Sequence, residues 1–151
     1  MNFETILTHG GWKSEEGTRA CATPIYQTSS FTLDDTQYAK DLFDGTREGN
    51  IYTRIMNPTT DVLEKRVAML EGGVGALATS SGMSALLITA LTILKSGDEV
   101  VSSSALYGGS FNLLDVTLRK FGINTIFIDS NDPKDFENAI TDKTRMIFGE
   151  T

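Results

Sequence analysis

The sequence contains very little cysteine and histidine. Its 151 residues include one of each, Cys21 and His9. A single cysteine cannot form an internal disulfide bond, and one cysteine with one histidine cannot supply the ligand cluster of a structural zinc site. We therefore expect no metal site in this chain.

Long hydrophobic runs are also scarce. The longest nearly apolar run covers residues 85–94 and contains two threonines, whereas a helix that crosses a bilayer needs about 20 apolar residues. The first five residues, Met-Asn-Phe-Glu-Thr, lack the charged and apolar regions of a secretion signal. The sequence therefore predicts a cytoplasmic protein with no membrane partner.

Positive charge is in deficit. The chain has 13 lysine and arginine residues against 20 aspartate and glutamate residues, a formal net charge of −7. A protein that binds nucleic acid needs a basic surface to meet the phosphates, so the composition argues against a nucleic-acid partner. The sequence also lacks a GxxxxGK[ST] loop and a GxGxxG turn opening a helix. These absences exclude a P-loop and disfavour a nucleotide-binding regulatory domain.

The character of the sequence changes near Asn57. Residues 1–56 are polar and irregular, are broken by glycine and proline, and contain one predicted helix, at 34–43. Asn57 and Pro58 then have the residue types preferred at a helix N-cap and at the first helical position. We divide the chain into an N-terminal arm, residues 1–56, and the first part of a larger domain, residues 57–151.

Helical and strand patterns alternate in the second part of the chain. A helix opens at Asn57 and ends at a glycine pair. The segments that follow are predicted as a strand at 75–79, a helix at 82–95, a strand at 99–103, a helix at 109–121, a strand at 124–129, a short helix from 132 and a strand at 144–149. This alternation predicts an α/β fold with a parallel sheet covered by helices.

The turn between the first predicted strand and the next helix has the sequence Thr-Ser-Ser-Gly-Met at 79–83. Where a strand turns into a helix, the first backbone N–H groups of the helix have no acceptor and form a seat for phosphate. Gly82 has no Cβ that would hold an anion away from the backbone. The alternative is an ordinary turn with a serine N-cap, and these five residues alone do not decide between the two.

Other loops are predicted at the same edge of the sheet. Ligands of such sheets bind at the carboxyl ends of the strands, where residues 104–109 and 150–151 follow two of the predicted strands. Tyr107 could cover an aromatic ring there. A phosphate seat beside an aromatic side chain favours a small phosphorylated aromatic cofactor.

Five segments occur in an order and spacing typical of one enzyme family. They are Pro-Ile-Tyr-Gln-Thr-Ser-Ser-Phe at 24–31, Tyr-Thr-Arg-Ile-Met-Asn-Pro-Thr at 52–59, Leu-Glu-Gly-Gly at 70–73, Ser-Ser-Gly-Met-Ser-Ala at 80–85 and Leu-Tyr-Gly-Gly-Ser at 106–110. With these segments the chain resembles the pyridoxal-phosphate (PLP) enzymes of Cys/Met metabolism, the cystathionine γ-synthase family. The resemblance implies an N-terminal arm plus the first part of the mostly parallel-sheet large domain of a fold-type I PLP enzyme, with pyridoxal 5′-phosphate as cofactor.

Within that family, residues 51–58 and 106–113 look most like the O-acetylhomoserine sulfhydrylases. This resemblance implies that acetate leaves Cγ of O-acetyl-L-homoserine and is replaced by sulfide or methanethiol, giving homocysteine or methionine. Cystathionine γ-synthase, cystathionine γ-lyase and methionine γ-lyase activities are the alternatives inside the family. A non-catalytic assembly module is the alternative from another class, if the chain natively ends at Thr151.

The resemblance also implies roles for individual residues. Ser81, Gly82 and Met83 would bind the cofactor phosphate, and Tyr107 would stack on the pyridine ring with its phenol near the leaving group. Tyr52 and Arg54, on an extended segment that turns both toward one side, would bind the same phosphate from a neighbouring subunit. The implied assembly is a homo-oligomer, a dimer of dimers.

The family's lysine that carries the cofactor has no counterpart here. None of the seven lysines lies in the expected Ser-x-Thr-Lys setting. We therefore expect the chain to be the N-terminal portion of a larger enzyme and to be inactive by itself.

Overall fold

A computed structural model describes residues 1–151. The chain forms two compact units, Met1–Ala78 and Thr79–Thr151. The division into an arm at 1–56 and a domain at 57–151 stays a prediction about the assembled enzyme. No helix in the structure combines the length and the apolar composition that crossing a membrane requires.

The first unit contains three helices, α1 (Phe3–His9), α2 (Thr36–Phe43) and α3 (Pro58–Glu71). The prediction of a helix near 34–43 is confirmed, but the prediction that the rest of residues 1–56 is irregular is wrong for α1. The Asn2 side chain accepts a hydrogen bond from the Thr5 N–H and so caps α1. Because α1 contacts α3, packing stabilises a helix too short to form in isolation.

Helix α3 begins and ends where the sequence predicts. The Asn57 side chain accepts a hydrogen bond from the Thr59 N–H, Pro58 occupies the first turn, and Gly72 adopts a left-handed conformation (φ 65°) that ends the helix. Asn57 is buried, and its amide also donates to Tyr26 O and Thr53 Oγ1, both at 3.0 Å. One side chain therefore caps α3 and ties two segments of the N-terminal region to it.

The second unit contains a parallel sheet of three strands, β1 (Glu99–Ser103), β2 (Asn124–Ile128) and β3 (Thr144–Phe148), in the order β2-β1-β3. Val101 pairs with Ile126 of β2 and with Ile147 of β3. The central strand is the most buried, since Val100, Val101 and Ser102 are inaccessible to solvent. The predicted α/β class is confirmed. The three strands lie where the sequence predicts them, and their ends agree with the predicted ends to within one residue.

The strand predicted at 75–79 is absent. The three strands of the sheet pair only with one another, and residues 75–79 have no hydrogen-bonded strand neighbour. The Ala78 N–H donates instead to Glu64 Oε1 at 2.8 Å. A run of small apolar residues forms a strand only where a second strand satisfies its backbone N–H and C=O groups. The composition of residues 75–79 alone therefore does not make this segment a strand.

The helices of the second unit are α4 (Gly82–Ile93), α5 (Gly108–Asn112), α6 (Leu118–Lys120) and α7 (Pro133–Ala139). A π-helical turn, Leu113–Thr117, joins α5 to α6, so the helix predicted at 109–121 is continuous but widened at its centre. The core of this unit lies between α4, β1 and this long helix. Its buried members are Ala90, Leu94, Val100, Leu114, Leu118 and Ile123.

We predict that Asn57→Ala destabilises the protein by about 2 kcal/mol, because it removes a helix cap and leaves the partly buried Tyr26 carbonyl without its donor. Urea denaturation followed by circular dichroism measures the loss. Asn131→Ala, which removes an exposed amide without a side-chain hydrogen bond, is the matched control and should change the free energy of unfolding by less than about 0.5 kcal/mol. Equal effects of the two substitutions would contradict the role of Asn57 as the cap of α3 and the donor to Tyr26 O.

Candidate functional site

The loops after β1 and β3 meet at one edge of the sheet. The loop after β1 leads through Tyr107 into α5, and Glu150 follows the end of β3. The Glu150 Oε2 atom accepts a hydrogen bond from the Tyr107 N–H at 2.6 Å. This contact arises because both strands are parallel to each other, which places their carboxyl ends at the same edge.

The N-terminus of α4 leaves backbone donors free. Ser81 is the N-cap in an extended conformation, and its Oγ accepts a hydrogen bond from the Ser84 N–H at 3.1 Å. The Gly82 and Met83 N–H groups, which precede Ser84, donate to no acceptor in the structure. A Cβ built on Gly82 meets no atom within 4 Å, so the space beside this turn is open.

An open cavity of about 470 Å³ lies against this helix end. Among the residues that line it are Ser81, Gly82, Met83, Tyr107, Ser110 and Glu150. The ring of Tyr107 lies over Gly109, where an added Cβ would come within 2.5 Å of Tyr107 Cε1 and 3.4 Å of Met83 Sδ. Tyr107 is 69% exposed, so one face of an aromatic ring is available beside free N–H groups.

Glu150 is the charged group at this cavity whose pKa is perturbed. Its Oε1 accepts a hydrogen bond from the buried Ser110 hydroxyl at 2.5 Å, and its Oε2 binds the Tyr107 N–H. These two donors, the Ser110 hydroxyl first, hold the pKa of the Glu150 carboxyl below its ordinary value. The carboxylate is therefore ionised at neutral pH.

Tyr52 and Arg54 lie in the first unit. Both line a second open cavity, also of about 470 Å³, together with residues 26–29. The predicted extended segment is instead a turn, because the Ile55 and Met56 N–H groups both donate to Tyr52 O. The two side chains nevertheless share one side, with the Arg54 guanidinium carbon 5.8 Å from the centre of the Tyr52 ring.

The structure thus brings four of the six predicted site residues around one cavity, namely Ser81, Gly82, Met83 and Tyr107. Tyr52 and Arg54 form a separate pair, and their predicted place in a neighbour's site stays a prediction. Sequence reasoning placed Glu150 at this edge without giving it a role, and it missed Ser110. The sequence signal for Glu150 is a single acidic residue directly after the last strand. The signal for Ser110 is its place at the end of the motif at 106–110, to which no role was assigned.

These observations test whether a phosphorylated aromatic cofactor fits the cavity. The free Gly82 and Met83 N–H groups suit a phosphate, and the open space beside Gly82 leaves room for one. The exposed Tyr107 ring suits an aromatic system. The residues therefore fit PLP.

Comparison with known proteins gives the same family. A family model described as Cys/Met metabolism PLP-dependent enzyme matches residues 4–151. An O-acetyl-L-homoserine sulfhydrylase of Leptospira meyeri is 54% identical over 148 residues, which cover 98% of this chain and 34% of that protein. The chain therefore spans about a third of the length of this curated relative.

Two solved structures are similar to the whole described chain. A putative O-acetylhomoserine (thiol)-lyase of Campylobacter jejuni, which contains N′-pyridoxyl-lysine-5′-monophosphate, has a TM-score of 0.89 and 35% identity, over 97% of this chain and 36% of its own. Cystathionine γ-lyase of Lactobacillus plantarum, complexed with L-serine, has a TM-score of 0.85 and 34% identity, over 100% of this chain and 37% of its own. The fold is that of the corresponding part of a fold-type I PLP enzyme. The chain belongs to the family of PLP-dependent enzymes of Cys/Met metabolism.

Proposed function

We propose that this chain forms part of an enzyme that replaces the acetate of O-acetyl-L-homoserine by sulfide or methanethiol, giving homocysteine or methionine. The observation that carries the proposal is the cavity where the free N–H groups at the start of α4 face the same space as the Tyr107 ring. One part of this cavity suits a phosphate, and the other suits a flat aromatic group.

The start of α4 would bind the cofactor phosphate. The Gly82 and Met83 N–H groups would donate to its oxygens, at the end of the helix where the dipole favours negative charge. Ser81 Oγ accepts from the Ser84 N–H and lies 2.9 Å from Ser84 Oγ. With the Ser84 hydroxyl donating to Ser81 Oγ, the Ser81 hydroxyl hydrogen would be a further donor to the phosphate. Three donors would then hold one anion on a helix of twelve residues.

Tyr107 would act on both the cofactor and the leaving group. Its ring would hold the cofactor flat, and its Oη would move a proton to the acetate oxygen as the bond at Cγ breaks. PLP, when bound, supplies the electron sink for removal of a proton from the amino-bearing carbon and then from the carbon next to it. The chain's residues contribute orientation and proton transfer.

The choice of substrate depends on sequence similarity. The TM-scores to a putative (thiol)-lyase and to a cystathionine γ-lyase are almost equal, at 0.89 and 0.85, so the shared fold does not favour either chemistry. The 54% identity to an O-acetyl-L-homoserine sulfhydrylase favours γ-replacement. The γ-lyase reaction is the second candidate, and the lyase structure is the observation that favours it.

We further propose that Tyr52 and Arg54 bind the phosphate held by α4 of a neighbouring subunit. The guanidinium offers several donors arranged to match phosphate oxygens. The cavity beside Tyr52 and Arg54 is open, so their side chains are accessible to another subunit. A two-fold arrangement would build two equivalent shared sites, and a dimer of dimers would contain four.

Ser81→Asp separates helix capping from phosphate binding. Aspartate is as good an N-cap as serine, so we expect the apo-enzyme to keep its free energy of unfolding within about 0.5 kcal/mol. The added carboxylate would repel the phosphate, and we expect the Kd for PLP to rise about 100-fold. Equilibrium dialysis measures PLP binding. Ser81→Asn is the neutral cap control, and a similar loss of binding in both variants would argue against charge repulsion.

Tyr107→Phe separates stacking from proton transfer. The phenylalanine ring keeps the flat contact, so we expect the PLP content of the purified enzyme to remain near that of the wild type. Loss of the phenol should lower kcat for acetate release from O-acetyl-L-homoserine about 100-fold. A coupled acetate assay gives the rate. An unchanged rate would reduce Tyr107 to a stacking surface.

Complementation tests the shared site. Arg54→Ala and Tyr107→Ala should each be nearly inactive, yet equal mixing with subunit exchange should restore about a quarter of wild-type activity, since a mixed dimer has one intact site. Mixing Arg54→Ala with Tyr52→Ala is the matched control. In this control, each site receives both Tyr52 and Arg54 from one neighbouring subunit, and every subunit lacks one of the two side chains. No mixed dimer therefore has an intact site. Restoration in the control, or none in the first mixture, would contradict the shared-site model.

A further inference from the structure

The backbone of Tyr107 is held by a side chain that lies 43 positions further along the chain. Glu150 Oε2 accepts from the Tyr107 N–H at 2.6 Å, while Oε1 accepts from Ser110 Oγ at 2.5 Å. Ser110 is only 3% exposed, so packing holds its hydroxyl in one position in the first turn of α5. The carboxylate therefore connects the residue before α5 to a buried residue within it.

The ring of Tyr107 has few other restraints. Its hydroxyl forms no hydrogen bond, and the side chain is 69% exposed. The ring contacts the Gly109 position, where a Cβ would lie 2.5 Å from Cε1. The direction of the ring is thus set by the backbone at Tyr107 and by the space that Gly109 leaves, and Glu150 fixes that backbone.

We propose that Glu150 is a positioning residue that orients Tyr107 for stacking on PLP. The inference rests on the proposed function, because it assigns the Tyr107 ring to the cofactor. Glu150 itself acts through the Tyr107 N–H and the Ser110 hydroxyl. The ionised state that both donors favour strengthens these contacts, since hydrogen bonds to a charged acceptor are stronger than neutral ones.

Three substitutions in the PLP enzyme test this role. Glu150→Ala removes both acceptors, and Glu150→Asp shortens the side chain so that one carboxylate cannot reach both donors. Glu150→Gln keeps both contacts, because its amide oxygen can accept from the Tyr107 N–H and its amide nitrogen can donate to Ser110 Oγ. We expect the Kd for PLP to rise about tenfold for alanine, less for aspartate and least for glutamine.

Circular dichroism of bound PLP provides a readout that is independent of activity. The sign and size of the visible band depend on how the ring is held, so we expect the band per bound PLP to weaken in Glu150→Ala and to recover in Glu150→Gln. Glu137→Ala, which removes an exposed carboxylate without hydrogen bonds on α7, is the matched control and should leave the band unchanged. An unchanged band in Glu150→Ala would overturn the proposal.

A double-mutant cycle with Tyr107→Ala shows whether Glu150 acts through Tyr107. We expect Glu150→Ala, or Glu150→Asp if the alanine variant does not fold, to have no further effect on the Kd for PLP when Tyr107 is already alanine. A full additional effect would overturn the positioning role. If Tyr107→Ala alone left the Kd unchanged, the proposed stacking itself would fail, so the two failures are distinguishable.

Discussion

The pairing of β1 with β2 on one side and β3 on the other is the constraint on which the second unit depends. It buries Val100, Val101 and Ser102 completely, and it satisfies the backbone groups of the central strand on both sides. Because all three strands are parallel, their carboxyl ends share one edge. The hydrogen bond from Tyr107 to Glu150 joins loops that are far apart in sequence, and it exists only because this pairing brings them together.

Helix α4 completes the site by bringing unsatisfied donors to the same edge. Ala90 of the helix and Leu94 at its C-cap are buried in the core, which fixes the direction of the helix and therefore the position of its N-terminus. Ser81 satisfies the Ser84 N–H and leaves the two preceding N–H groups free. A helix needs its first turn capped to be stable, and a phosphate site needs part of that turn uncapped. The serine N-cap meets both requirements.

Local signals predicted most helix boundaries. Asn57 with Pro58 marked the start of α3, Gly72 marked its end, and the alternation after that point predicted the three parallel strands. The failures were α1 and the strand at 75–79. Helix α1 is short and depends on contact with α3, and residues 75–79 lack a strand neighbour. In both cases the deciding contacts lie outside the segment, where periodicity carries no information.

The sequence by itself predicted the family and the cofactor, because its five motifs resemble those of the PLP enzymes of Cys/Met metabolism in order and spacing, and the match to the family model confirms the family. It also predicted that Ser81, Gly82, Met83 and Tyr107 lie at one edge of the sheet, and these four residues line one cavity. Only the tertiary structure decided that Glu150 holds the Tyr107 backbone, that Ser110 anchors that carboxylate, and that Gly109 leaves room for the ring. Those contacts join positions up to 43 residues apart, and their distances follow from strand register and helix packing, which no local pattern encodes.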